Sequence, residues 1–90
     1  MVVIVLQSVP ARVRGELSRW MLEPYPGLFV GHVSAMVRDR LWEKCCQNCG
    51  EGGVFQAWTT NNEQHYAMRV WGNVRRTIVD YEGLLLVKVP

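Results

Sequence analysis

The residues with chemistry to offer are arginines, and they stand in pairs. Arg12 and Arg14 follow Pro10, and Arg75 and Arg76 follow Val74 with no acidic residue until Asp80. A guanidinium is a fixed cation with a planar fork of donors. A pair of them without carboxylate neighbours therefore suits a phosphate or another oxyanion. The first pair lies where a helix should begin, so unpaired backbone N–H groups and the positive end of the helix dipole add to it. Arg12 can instead pair with Glu16 at i+4, and Arg19 with Glu23. Arg14 has no carboxylate at i+4 and is the freer of the two to meet a ligand. The alternative for Arg75 and Arg76 is a solubilising loop. Arg38, Arg40 and Lys44 lie among Asp39 and Glu43 and read as a solvated helix face.

Other chemistries are poorly provided for. Cys45, Cys46 and Cys49 include a Cys-x-x-Cys spacing. A structural zinc needs four ligands, and His32 and His65 are remote in sequence and fall in strands. A thioredoxin-type motif opens a helix, whereas this one closes a helix, so the cysteines read as small apolar residues. Gln7 ends the first strand. A carboxylate there would suggest a metal-dependent nuclease, but an amide is neither a general base nor a good ligand for a hard cation. Asp80 and Glu82 can share one side of an extended connector and read as solvated.

The elements that must position these residues follow from periodicity. Val2–Leu6 is an unbroken aliphatic run, the pattern of a central strand covered on both faces. Val13, Leu17, Trp20 and Met21 then fall on one helical face, with Pro10 in the first turn and Ser8 or the Val9 backbone as cap. Pro24-Tyr25-Pro26-Gly27 breaks the chain. A second strand spans 28–33, with Gly31 marking a bulge. Ser34 caps a second helix from Ala35 to about Gln47, striped by Val37, Leu41 and Cys45, and Gly50 closes it in a left-handed conformation. Strands follow at Val54–Thr60 and His65–Trp71, joined by Asn61–Gln64, and a last strand at Leu84–Val89. Two helices among about five strands give an α+β, ferredoxin-like two-layer sandwich: both helices lie on one face of a mainly antiparallel sheet, with an extra C-terminal strand.

Ninety residues make a single domain, 1–90. Nearly half are hydrophobic (49%) and four are tryptophan, more than a monomer of this size can readily bury, which predicts a homodimer that covers a sheet face or edge. The net charge of +2 is too small to argue for nucleic-acid binding on its own, so the placing of the arginines carries that argument. No apolar run approaches membrane-span length and no signal peptide is evident, which predicts a cytoplasmic protein with no membrane partner.

Three blocks together are distinctive: VPARVRG (Val9–Gly15), FVGHVSA with RLWE on the following helix, and AWTTNNE followed by GNVRRTIVDYEGLLLV. In this order and spacing the whole chain closely resembles CRISPR-associated protein 2 of the type I-E subtype. The resemblance implies a homodimeric, ferredoxin-like protein of antiviral defence that acts in spacer integration. It implies a partnership with the integrase CRISPR-associated protein 1, which performs the transesterification, and with the double-stranded DNA of the new spacer. By position, Arg12, Arg14, Arg75 and Arg76 match the family's DNA-backbone contacts, and Met36 stands where relatives carry a further basic residue. Leu84, Leu85, Leu86, Val87, Lys88 and Val89 match the strand that adds onto the integrase.

The wider family is also labelled a metal-dependent endonuclease or endoribonuclease. Its metal-binding aspartate would coincide with Gln7 or Ser8, so the resemblance carries over no catalytic residue and no cofactor. Mg²⁺ belongs only to that alternative, in which the chain would be a phosphodiester hydrolase. A single-strand RNA-binding module on the same fold would need exposed strand aromatics in a pattern that Phe55 and Trp58 do not reproduce.

Overall fold

The structure is a computed structural model that describes residues 1–61 and 63–73. Asp80, Glu82, Arg75, Arg76 and the strand expected at Leu84–Val89 lie outside the described residues. The element order is β1 (Val2–Gln7), α1 (Ala11–Ser18), β2 (Leu22–Tyr25), β3 (Leu28–Gly31), α2 (Ala35–Gln47), β4 (Gly53–Thr59) and β5 (Tyr66–Gly72). The five strands form one sheet in the order β2-β3-β1-β4-β5, with every neighbouring pair antiparallel. This is the ferredoxin-like α+β arrangement expected from the sequence. Among the described residues no helix is long and apolar enough to cross a membrane.

Alternation along β1 sorts the two faces of the sheet. Val2, Ile4 and Leu6 are buried, while Val3, Val5 and Gln7 are half-buried. The buried set packs with Phe29, Val54, Val13 and Leu17 of α1, and Leu41 and Cys45 of α2, so both helices cover one face. Among the described elements the helices close one face of β1, and its aliphatic run continues onto a far face where Val3 and Val5 are half-buried. Register places Val30 beside Val3, Leu28 beside Val5, and Ala57 between Val3 and Met68 there.

Several boundaries differ for identifiable reasons. The segment read as a break overlaps β2 at Pro24 and Tyr25, in an edge strand whose outer position tolerates Pro24. Pro26-Gly27 turns it into β3. Gly27 has φ of +84°, and its carbonyl accepts a 2.8 Å bond from the Leu6 N–H, so a side chain there would meet β1. The irregular pairing lies between Leu22 and Tyr25 rather than at Gly31, which pairs regularly with Val2. Helix α1 stops at Ser18, one turn short of the expected stripe, so Met21 is buried but Trp20 is half exposed. Pro10, not Ser8 or Val9, occupies the N-cap position of α1, with no side-chain cap; Ser8 instead turns with φ of +57°. Ser34 does cap α2, its hydroxyl accepting from the Val37 N–H at 3.2 Å, and Gly50 has the expected positive φ of +61°.

One polar side chain lies in the centre of this architecture. Gln56 on β4 is fully buried, facing the helices. Its Nε2 donates to the Arg38 carbonyl of α2 at 3.2 Å, and its Oε1 accepts from Arg69 Nε of β5 at 2.7 Å. Both ends of the amide are thus satisfied, and three elements are joined through it. Arg69→Ala removes the donor to a buried acceptor and should destabilise the fold by ~1–3 kcal/mol. Adding Gln56→Leu should recover part of that loss. Urea unfolding of the two single variants and the double variant measures the coupling; strictly additive effects would mean that the amide and the guanidinium are not energetically linked.

Candidate functional site

The first arginine pair sits where the sequence places it, at the start of α1 just beyond β1, but its members diverge. Positions 12 and 14 are two residues apart on a helix, so they leave on different sides. Arg12 crosses to the C-terminus of α2, where its Nη2 donates to Asn48 Oδ1 at 3.1 Å. Asn48 is the C-cap residue of α2 and itself donates to the Lys44 carbonyl at 2.8 Å. Arg14 leans toward the β2–β3 hairpin and pairs with Glu23 at 3.0 Å. Glu23 Oε2 also accepts from the Gly27 N–H at 2.9 Å, so the carboxylate braces the turn as well.

The expected partners are therefore corrected. Arg12 pairs with an amide rather than with Glu16, and Arg14, read as the freer of the two, holds a carboxylate nine residues further along the chain, Glu23 on β2. Glu16 is reached instead by Lys44 at 3.4 Å and Arg19 at 3.9 Å, so Arg19 does not take Glu23. Both guanidiniums of the pair stay accessible: Arg12 is exposed, and the Arg14 side chain keeps 43% of its surface. Two clefts open in this half of the molecule, the first lined by Arg12. One, of about 400 Å³, runs between α1 and α2 past Arg12, Glu16, Lys44 and Asn48. The other, of about 570 Å³, opens at the end of β1 and is lined by Gln7, Ser8, Tyr25, Pro26 and Asn73.

The end of β1 is fixed tightly. A side chain at Gly52 would collide with the carbonyl oxygens of Gln7 and Ser8, so the loop before β4 lies directly against this corner. Gln7 faces Gly53 across the β1–β4 ladder. The corner thus offers amides, hydroxyls and, beside it, two cations. Among the described residues no three His, Cys, Asp or Glu side chains gather as a metal-ligand set. The donor set at Gln7 and Ser8 does not fit a divalent cation, and no chemical step is derived through one.

A second basic cluster was missed as a unit. Arg38, read as part of a solvated face, lies over the Trp58 ring at 4.2 Å. Arg69 lies over Trp42 at 4.8 Å and over Trp58 at 4.9 Å. Asp39 Oδ1 accepts from both, at 3.0 Å from Arg38 Nε and 2.8 Å from Arg69 Nη2. The hydrogen bond from Arg38, then that from Arg69, holds the Asp39 carboxyl below its ordinary pKa. These arginines are committed to stacking and pairing, and they brace β5 against α2. The signal for Arg69 was available: alternation in β5 puts it on the opposite face from Tyr66, Met68 and Val70, toward the helices, where a cation must find partners. Arg40 keeps the exposed character expected of it.

The cysteines behave as core residues. Cys45 and Cys49 are buried and Cys46 is half-buried, with all three unpaired. Burial, reinforced by the neighbouring thiols, pushes Cys45 up to about 12, and burial likewise pushes Cys46 up to about 11.

A protein-family model described as CRISPR-associated protein (Cas_Cas2CT1978) matches residues 1–86.

Because the thiolate is the nucleophile, a raised pKa keeps both thiols protonated at neutral pH. Native protein at pH 8 should therefore resist iodoacetamide at Cys45 and Cys46, with labelling rising only as pH approaches about 11 for Cys46 or on unfolding. Peptide mass mapping reads the sites. Rapid labelling of Cys45 in folded protein at pH 8 would contradict this placement.

Proposed function

Since the chain belongs to this CRISPR-associated protein family, spanned by its model over residues 1–86, we propose that it is a homodimeric scaffold of spacer acquisition of the type I-E kind. It holds double-stranded spacer DNA by its phosphates, in the cytoplasm, and bridges the integrase CRISPR-associated protein 1 without cutting DNA itself. The observation that carries this reading is the first turn of α1: two accessible guanidiniums, Arg12 and Arg14, leave it just past β1, whose last residue is the neutral Gln7. Such a corner binds oxyanions but supplies no carboxylate for a metal or a general base. Arg75 and Arg76 provide the second contact point, and Leu84–Val89 the strand that adds onto the integrase, within a single domain of residues 1–90. The homodimer reading is supported by the far face of the sheet, where Val3, Val5, Leu28, Val30, Ala57 and Met68 are only half-buried and Leu22, Tyr25 and Val70 are exposed.

The present partners of the two arginines do not oppose DNA. An exposed ion pair such as Arg14–Glu23 contributes about 0–1 kcal/mol. A phosphate that accepts a two-pronged bond can displace it. Affinity should rest on phosphate contacts, ignore sequence and fall steeply with salt.

Fluorescence anisotropy of a labelled duplex across a salt series tests the reading. Arg12→Ala/Arg14→Ala and Arg75→Ala/Arg76→Ala should each flatten the salt slope by about one unit per lost phosphate contact. Unchanged slopes would remove these residues from the interface. Divalent-metal-dependent shortening of the duplex would favour the endonuclease alternative.

Glu23→Gln keeps an acceptor for the Gly27 N–H while releasing Arg14 from its charge partner. It should raise duplex affinity, by up to about fivefold at low salt. A fall in affinity would place the Arg14–Glu23 pair in a structural role only.

A further inference from the structure

The helix layer carries two large apolar side chains that the core does not use. Trp20 is 50% exposed and Met36 64% exposed. They are remote in sequence, yet both line one pocket of about 160 Å³ between the end of α1 and the first half of α2. Its floor is Val37 and Leu41, of which Leu41 is buried in the core. The rim is charged and unbalanced. Glu16 is its carboxylate, already approached by Lys44 at 3.4 Å and by Arg19 at 3.9 Å. Arg40, which with Lys44 makes two lining cations to one carboxylate, is exposed and has no hydrogen-bond or ion-pair partner among the described residues.

We infer that this pocket is a docking site for a segment of another protein that inserts one aliphatic side chain between Trp20 and Met36 and presents carboxylates to Arg40 and Lys44. An apolar pit ringed by excess positive charge selects an apolar group flanked by negative ones. The volume suits a single side chain, not a packed helix or a second copy of this fold. Met36 has the flexible thioether that lets such a pit adjust, and Trp20 supplies a rigid wall. An unstacked base shares the need for an aromatic wall and cations, but it carries polar atoms on its edges. Val37 and Leu41 give those atoms no partner, so the floor disfavours a base. The site lies apart from Gln7 and the far face of the sheet, and it does not depend on the scaffold reading.

The test is ¹H–¹⁵N and methyl NMR of the full chain titrated with an acetylated, amidated pentapeptide, a central leucine flanked by two aspartates on each side. Saturable shifts should appear at the Trp20 indole N–H and the Met36 methyl. Affinity should drop by about tenfold or more for Arg40→Glu, and as much for a peptide with glycine in place of leucine. Absence of saturable shifts, or equal binding by Arg40→Glu or by the glycine peptide, would overturn the inference. So would an oligothymidine that moves the same resonances at lower concentration than the peptide. Trp20→Ala, a change at a half-exposed position outside both arginine pairs, should lose the peptide and retain duplex affinity, so failure of this site and failure of the scaffold reading give different results.

Discussion

The fully buried amide of Gln56 is the interaction on which the rest of the architecture depends. A polar group at zero exposure is tolerable only if both of its ends are paired. Here one end takes a backbone carbonyl of α2 and the other takes a side chain of β5. Those pairings tie α2 and β5 to the middle of the sheet; among the described residues β5 has β4 as its one strand neighbour. Arg69 then cannot reach Gln56 without also lying against Trp42 and Trp58, and the charge it brings there is balanced by Asp39. One buried hydrogen bond therefore commits two arginines, two tryptophans and one carboxylate to structure.

That commitment separates the basic residues into two kinds. Arg38 and Arg69 are stacked, paired and braced, and are poorly disposed to exchange partners. Arg12 and Arg14 are accessible and each holds a single half-buried partner, an amide and a carboxylate, which a phosphate can replace at modest cost. Between them, the end of β1 is pressed against Gly52, so the corner from which α1 departs is rigid while the side chains that leave it are not. Gln7, which ends β1 at that corner, is neutral and offers neither a general base nor a good ligand for a hard cation.

The layer order and the two-sided sheet were readable in the sequence because they rest on local periodicity. The aliphatic run of β1, the cap at Ser34 and the left-handed Gly50 each carry their own physical signal, and α2 spans Ala35–Gln47 as periodicity predicts. Edge strand β2 was not readable, because Pro24 and the Pro26-Gly27 turn look the same in a loop as on a strand with a free outer edge. Trp20 was misassigned because the 3.6-residue stripe was extended past the point where α1 ends. The partners of the arginines were beyond reach for a different reason. Arg14–Glu23 and Arg12–Asn48 are tertiary contacts, and helix spacing rules address only neighbours within one helix; Arg69–Gln56 is a cross-strand pair that depends on the register of β4 with β5. The arginine positions at the corner were legible, whereas their current partners were not.

In the proposed scaffold, two copies join through the apolar far face and together hold one intact duplex. Sedimentation velocity of the chain alone and with a defined duplex, in Mg²⁺, measures this directly. The predicted result is a dimer that binds as a unit, two chains to one full-length duplex. A single chain per duplex, or a duplex recovered in shortened form, would contradict it.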